Sequence, residues 1–323
     1  MSDRAIETQG LTKRFGDVLA LDSLDMTVDR GEVYGFLGPN GAGKSTTINM
    51  LLDFIHPSAG SATVLGHDTR DESLAIRQRT GILPEGASLY PRLSGREHVE
   101  FVADVKGVEV DPVAVLDRVG LDRDDQTRTA GGYSKGMGQR LALGMALVGD
   151  PDLLILDEPS SGLDPNGMAE MRDIITEEAE TGTTVFFSSH LLAEVEAVCD
   201  RVAILSNGRL VAEDTIDALR DKAGGNPTIE LVCAEADATT LDNLVSELTD
   251  RDDVRSVSVE GVRLVVTCDA PTAKAALIRA VDDQTSVTDV VAEEASLESL
   301  FERYTAGTDE REEQQTAPTG GGQ

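Results

Sequence analysis

The chain has 323 residues, 59 of them acidic and 28 basic, for a formal net charge of −31, and 40% of it is hydrophobic. That length and apolar share exclude a wholly disordered chain and allow one large α/β domain with a smaller one beside it. The negative field repels phosphate backbones, which excludes nucleic acid as an expected partner, and with Lys at only six positions it points to a salt-adapted, halophilic source.

In chain order, the start MSDRAIETQG has no apolar stretch for a secretion signal, and the region up to about residue 32 reads as short strands with turns at Gly16-Asp17 and Arg30-Gly31. VYGFLG (33–38) reads as a strand running into a Gly-rich turn, followed by a helix from Lys44 to Phe54 with apolar residues at helical spacing. Residues 90–148 read as a helical insertion, with amphipathic helices at 95–106 and 112–119, a polar stretch, and a further helix near 136–148. The apolar runs at 153–157, 184–189 and 202–206 alternate with helices near 166–180 and 191–198, which predicts a mainly parallel sheet covered by helices. A hairpin about Asn207-Gly208 closes this part, and with the first strands it forms antiparallel additions to the core.

A helix near 216–223 leads to a linker at 223–227, where two glycines and a proline break the helical pattern. Domains are thus expected at 1–222 and 228–304, with a disordered tail at 305–323 that has almost no apolar residues. The second domain reads strand, helix, strand, strand, helix, strand, which is the ferredoxin-like α+β order. No run approaches the roughly 18 apolar residues of a membrane span. Cys199, Cys233 and Cys268 are odd in number and lack a CxxC pattern, so neither a disulfide framework nor a zinc site is expected, and the cytoplasm fits.

The segment Gly38, Pro39, Asn40, Gly41, Ala42, Gly43, Lys44, Ser45 matches G-x-x-x-x-G-K-[ST] between a strand and a helix, as a phosphate-binding loop requires. Its backbone N–H groups, through Thr46, are expected to converge on the β-phosphate of ATP, with Lys44 bridging the β- and γ-phosphates and Ser45 on Mg²⁺. LLILD (153–157) followed by Glu158 puts two carboxylates at the C-terminal end of a strand, where α/β sheets form their ligand crevice. Asp157 is expected to hold Mg²⁺ through water, and Glu158 to act as general base toward the attacking water. His56, His67 and His98 share no ligand-like spacing, so surface or packing roles are expected for them.

Tyr133-Ser134-Lys135-Gly136-Met137, with Gln139-Arg140 after it, precedes Asp157-Glu158 and resembles the ABC signature LSGGQ; Ser161-Gly162-Leu163-Asp164 resembles the D-loop, and Ser189-His190 the switch histidine. Over residues 5–215 the chain resembles an ABC transporter ATP-binding subunit. The combination with SLESLFERYTAG looks like ABC-2 type exporters, the branch that includes drug export and copper-enzyme maturation. The resemblance implies the P-loop ABC ATPase fold, and ATP clasped between two copies, with Ser134 and Gly136 of one capping the γ-phosphate held by the other. It further implies that His190 positions the water, that Phe15 stacks on adenine, and that Asp164 lies at the nucleotide interface. A separate membrane permease completes the implied transporter, holding this chain on the inner face of the cell membrane.

Two departures stand out. Lys135 and Met137 replace the signature's first Gly and its Gln. Glu85 in GILPEG stands where the family commonly has the Gln that senses Mg²⁺ and meets the permease, so Glu85 is carried as a third metal-site residue. The other reading weighed is a non-transport ABC ATPase of translation or DNA repair, but the chain lacks a second cassette, a heptad tract and a zinc insertion. A non-hydrolysing regulator is disfavoured by the intact Glu158 and His190.

Overall fold

The computed structural model describes residues 4–222, 228–233, 236–249, 251, 253–268, 273–293, 298 and 301. They divide into two compact units, the first ending at Ile216 and the second starting at Asp217. The linker read at 223–227 and the tail read at 305–323 lie outside the described residues.

The first unit opens with β1 (Arg4–Phe15) and β2 (Val18–Asp29), two antiparallel strands of 12 residues each, longer than the short strands expected from the sequence. Several register shifts along β1 explain the difference, because each irregularity interrupts the apolar alternation from which length is read. Next come β3 (Val33–Leu37), α1 (Lys44–Leu51), β4 (Ala59–Val64), β5 (His67–Asp68), α2 (Ser73–Arg79) and β6 (Thr80–Leu83). The insertion holds α3 (Gly95–Lys106), α4 (Pro112–Arg118), α5 (Arg123–Thr127), a turn of 3-10 helix (Ala130–Gly132) and α6 (Lys135–Leu147). After it run β7 (Leu153–Asp157), α7 (Pro165–Glu180), β8 (Thr184–Ser189), α8 (Leu192–Val198), β9 (Arg201–Ser206) and β10 (Arg209–Thr215).

Local chemistry accounts for the helix starts. Ser94 and Glu97 form a reciprocal capping box on α3, Asp111 caps α4 with Pro112 in the first turn, and Asp164 caps α7 with Pro165. The α5 helix falls within the stretch read only as polar, since Gln126 is its single buried side chain and no apolar period marks it. In the β9–β10 hairpin, Asn207 and Gly208 both take positive φ, 47° and 75°, as the tight turn demands.

Two sheets result. An antiparallel one runs in the order β2-β1-β4-β5, and a six-stranded one in the order β10-β9-β3-β8-β7-β6, with β10 antiparallel to β9 and the other pairings parallel. Every residue of β3, β7 and β8 is buried, as expected for central parallel strands with both faces covered. Phe186 lies 5.9 Å from Tyr34 and 5.1 Å from Phe36 by ring centroids, filling the space between the sheets. Gly35 interrupts β3 because a Cβ there would come within 2.5 Å of Val195 on α8. The three neighbouring strands β3, β8 and β7 thus end side by side, which is what positions the site.

The second unit begins within α9 (Ile216–Lys222) and continues through β11 (Thr228–Val232), α10 (Ala238–Thr249), β12 (Val254–Glu260), β13 (Arg263–Cys268), α11 (Lys274–Asp282) and β14 (Asp289–Glu293). Its sheet, β12-β13-β11-β14, is antiparallel throughout. Ile229, Leu231, Leu264 and Val266 pack against Leu244, Leu248, Leu277 and Val281, so both helices cover one face in the ferredoxin-like manner. Cys199, Cys233 and Cys268 are all free and buried, and burial pushes the Cys199 and Cys233 thiols up, which makes both poor nucleophiles. Among the described residues no helix is long and apolar enough to cross a membrane.

Candidate nucleotide site

The loop between β3 and α1 is shaped by its glycines. Gly41 and Gly43 take φ of 84° and 111°, and a Cβ at Gly43 would lie 2.8 Å from the Ala20 carbonyl oxygen. At Gly38 a Cβ would come 2.6 Å from the Leu205 carbonyl oxygen. The loop therefore folds flat against the ends of β2 and β9, and α1 starts from Gly43 with no side chain capping its first N–H groups. Free N–H groups at a helix start, with the dipole behind them, favour an anion.

Pro39, Asn40, Gly41, Gly43, Lys44, Ser45 and Thr46 line an open cleft of about 270 Å³, completed by Ala20, Glu85 and Glu158. Gly38 and Ala42 lie behind this lining. Lys44 Nζ donates to the Gly38 carbonyl at 2.7 Å and stands 3.3 Å from Glu158 Oε1, with both side chains almost fully buried, at 6% and 8% exposure. That oxygen makes no hydrogen bond among the described residues, so the pair meets as charges without hydrogen-bond alignment.

Asp157 and Glu158 leave the end of β7 in different directions. Asp157 Oδ1 accepts a hydrogen bond of 2.8 Å from Ser188 Oγ on β8 and lies outside the residues lining the cleft. Glu158 takes φ of 52°, a left-handed conformation that costs of order 1–3 kcal/mol for a non-glycine residue and persists only where surroundings enforce it. Its N–H donates to the Ser188 carbonyl, and its Oε2 accepts from His190 Nδ1 at 2.7 Å, because an ionised carboxylate can only accept. The strained backbone thus aims Glu158 toward Lys44 on one side and His190 on the other.

Other expected site residues lie elsewhere on the chain. Ser134, Gly136 and Asp164 line a second open cleft, of about 500 Å³, with Lys135, Met137, Arg140 and Gly162. Ser134 Oγ accepts the Met137 N–H at 3.2 Å as the cap of α6, which leaves its own proton free to donate outward. Asp164 Oδ1 accepts the Gly167 N–H at 2.8 Å. Phe15 is 48% exposed beneath the Lys13 ammonium and does not line the phosphate cleft. Of the remaining histidines, His98 is fully buried, while His56 and His67 pair with Asp53 and Glu72.

Sequence reasoning missed the ties around these loops. Gln139 Nε2 donates to the Pro159 carbonyl at 2.6 Å, joining α6 to the residue after Glu158. Glu194 accepts from both Ser160 and Ser189. The only sequence signal was the polar pair Ser188-Ser189 ending an otherwise apolar strand. Among the described residues no group of three or more His, Cys, Asp or Glu gathers as a metal site.

The ABC transporter family profile matches residues 21–161. The chain is 40% identical over 241 residues to the daunorubicin resistance ATP-binding protein DrrA3 of Streptomyces coeruleorubidus, covering 73% of this chain and 76% of that one. It is 39% identical over 218 residues to a fluoroquinolones export ATP-binding protein of Mycobacterium tuberculosis, covering 67% and 72%. Among solved structures it is similar to an ATP binding subunit of an ABC transporter, with a TM-score of 0.63 at 30% identity, over 76% of this chain and 100% of the other. The chain belongs to the ABC transporter family as one of its ATP-binding, ATP-hydrolysing subunits.

Proposed function

We propose that two copies of this chain clasp ATP and, on hydrolysis, drive export through a separate membrane permease of the ABC-2 type. One observation carries the reading: the two half-sites lie in different clefts of one chain. Lys44 and Glu158 flank the first, while Ser134 and Gly136 flank the second, at the start of α6. A second copy facing the first brings its Ser134 hydroxyl and α6 N-terminus to the γ-phosphate held by Lys44.

Within that site the phosphate-loop N–H groups and Lys44 hold the β- and γ-phosphates, and Glu158 polarises the attacking water. His190 supports Glu158 through its 2.7 Å hydrogen bond. The donor set suits Mg²⁺, a cation that prefers one or two protein oxygens with phosphates and water: Ser45 and Glu85 line the cleft, and the buried Asp157 is oriented by Ser188. Bound there, Mg²⁺ would draw charge off the transferring phosphoryl group. Phe15 is the adenine-stacking candidate, and Asp164 fixes the loop that faces the second copy.

For the permease, the candidate surface is apolar. Tyr90, Phe101 and Val105 are exposed on a strongly acidic chain; the Tyr90 and Phe101 rings meet edge-on at 5.9 Å, and Phe101 and Val105 are one helical turn apart. Buried His98 holds the Tyr90 loop by accepting its N–H at 2.9 Å. Docking there would keep the chain on the inner membrane face. The relatives' roles in daunorubicin resistance and fluoroquinolone export support the direction of transport.

The test is sizing of the Glu158→Gln chain with Mg-ATP. A dimer is expected, and Ser134→Arg added to the same chain is expected to abolish it. A single chain at every concentration, with or without permease, would refute the shared site.

A further inference from the structure

The Glu158–His190 pair is built from two loops, and one more side chain holds both. Glu194 lies in the first turn of α8, four residues beyond His190. Helical side chains lean toward the N-terminus of their helix, so its carboxylate is carried back over the switch loop, where the dipole favours negative charge. There Glu194 Oε2 accepts from Ser189 Oγ at 2.7 Å, and Oε1 accepts from Ser160 Oγ. Ser189 is the residue before His190, and Ser160 is two residues after Glu158.

The direction of this network is fixed. The ionised carboxylate can only accept, so both serines donate to it, and Ser189 Oγ in turn accepts the Leu191 N–H at 3.0 Å. His190 is thereby held between Ser189 and Leu191, a short loop locked by a hydroxyl that Glu194 itself orients. On the other side, the Ser160 bond pins the turn after Glu158, whose left-handed backbone needs external support. Both serines are buried, and Glu194 borders a cleft lined also by Met168, Met171, Phe187 and Arg172.

We infer that Glu194 is a positioning residue for ATP hydrolysis, a clamp that sets the distance between Glu158 and His190 by holding one serine from each of their loops. The inference rests on the roles assigned above to Glu158 and His190. The clamp depends on reach and on two hydrogen bonds rather than on charge. Gln can replace it, accepting from one serine and donating to the other, whereas Asp is one methylene too short to span both.

The experiment is steady-state phosphate release by the full-length chain with Mg-ATP. Glu194→Ala is expected to lower kcat about 10- to 100-fold with KM for ATP within a factor of about two, since loss of alignment near 1 Å acts on the chemical step. Glu194→Gln should recover most of the rate and Glu194→Asp little. Ser160→Ala, which removes one arm and no charge, should give an intermediate loss. Because one of the two arms acts through His190, His190→Ala with Glu194→Ala should lose less than the product of the two single losses.

Five results decide the matter. Wild-type kcat in Glu194→Ala, beside inactive Glu158→Gln and His190→Ala, refutes the clamp alone. Multiplying losses in the double variant, or a fully active Glu194→Asp, also refute it. Full turnover in Glu158→Gln overturns the underlying reading and the clamp with it. Non-additive losses with rescue by Gln establish it.

Discussion

Replacing Glu158 by Gln separates two things that this carboxylate does. In the structure it compensates Lys44, 3.3 Å away and equally buried. Two unit charges at that distance attract by about 5 kcal/mol at an effective dielectric of 20, and desolvation offsets much of this, but removing one partner of a buried pair costs roughly 3–5 kcal/mol because the survivor is left uncompensated. Lys44 keeps its bond to the Gly38 carbonyl, which places the loss near the lower end, about 3 kcal/mol. For a unit of this size that is a fall of roughly 6–12 °C in Tm. ATP brings phosphate charge to the same ammonium, so Mg-ATP should restore most of the lost stability, and the ATP-induced rise in Tm should be larger in the variant than in the wild type. Turnover should fall about 10²- to 10⁴-fold with the general base removed. Thermal unfolding with and without Mg-ATP, together with phosphate release, reads both effects. An unchanged Tm without nucleotide would refute the compensation argument, and turnover within twofold of wild type would refute the base.

Three further outcomes are expected. Lys135 packs across Gly162 in the second cleft, so Lys135→Gln should weaken ATP-dependent dimerisation about fivefold at low salt, with the difference shrinking as salt rises; equal dimer constants from sedimentation in the ultracentrifuge at low salt would contradict this. Phe101→Asp, on the exposed apolar patch, should abolish copurification with the permease while leaving the rate of the chain alone unchanged, and a permease still bound would move the docking surface elsewhere. Burial raises the Glu178 pKa, against the opposing pull of Arg118, so the native chain holds this proton more tightly than the unfolded one, and stability is lost as pH rises through the folded value. Relative to wild type, Glu178→Gln should therefore gain Tm on going from about pH 4.5 to neutrality, and a Tm difference that is flat across that range would exclude the linkage.

The parts of the fold that were legible are those whose cause is local. VYGFLG followed by Gly38 to Ser45 reads as strand, loop and helix because a buried parallel strand must be uniformly apolar and the loop needs glycine at φ of 84° and 111°. Asn207-Gly208 and the alternating Val-rich strands of the second unit are legible for the same reason. What failed were elements defined by distant partners. The α5 helix, RDDQT, has no apolar residue, and α2, SLAIRQR, has only the adjacent Leu74, Ala75 and Ile76, so no apolar period announces them, and β1 hides its length behind register shifts set by β2 and β4.

The site divides along the same line. Residue types named the phosphate loop, the carboxylate pair and the histidine, since each has a chemical task that few side chains can do. The contacts that align them are invisible in one dimension. Lys44 and Glu158 are far apart in the chain and become neighbours only because β3 and β7 flank β8. Glu194 reads as an ordinary first-turn acid on an amphipathic helix until Ser160 arrives from another loop. Preorganisation requires donors and charges to be held before the substrate binds, and the groups that hold them must come from outside the loop being held, or the loop would carry its support with it when it moved. A supporting residue is therefore expected to be remote in sequence from at least one of the loops it steadies, as Glu194 is from Glu158 and as Gln139 is from Pro159. Motifs report which residues react, and the long-range hydrogen bonds report how they are aligned.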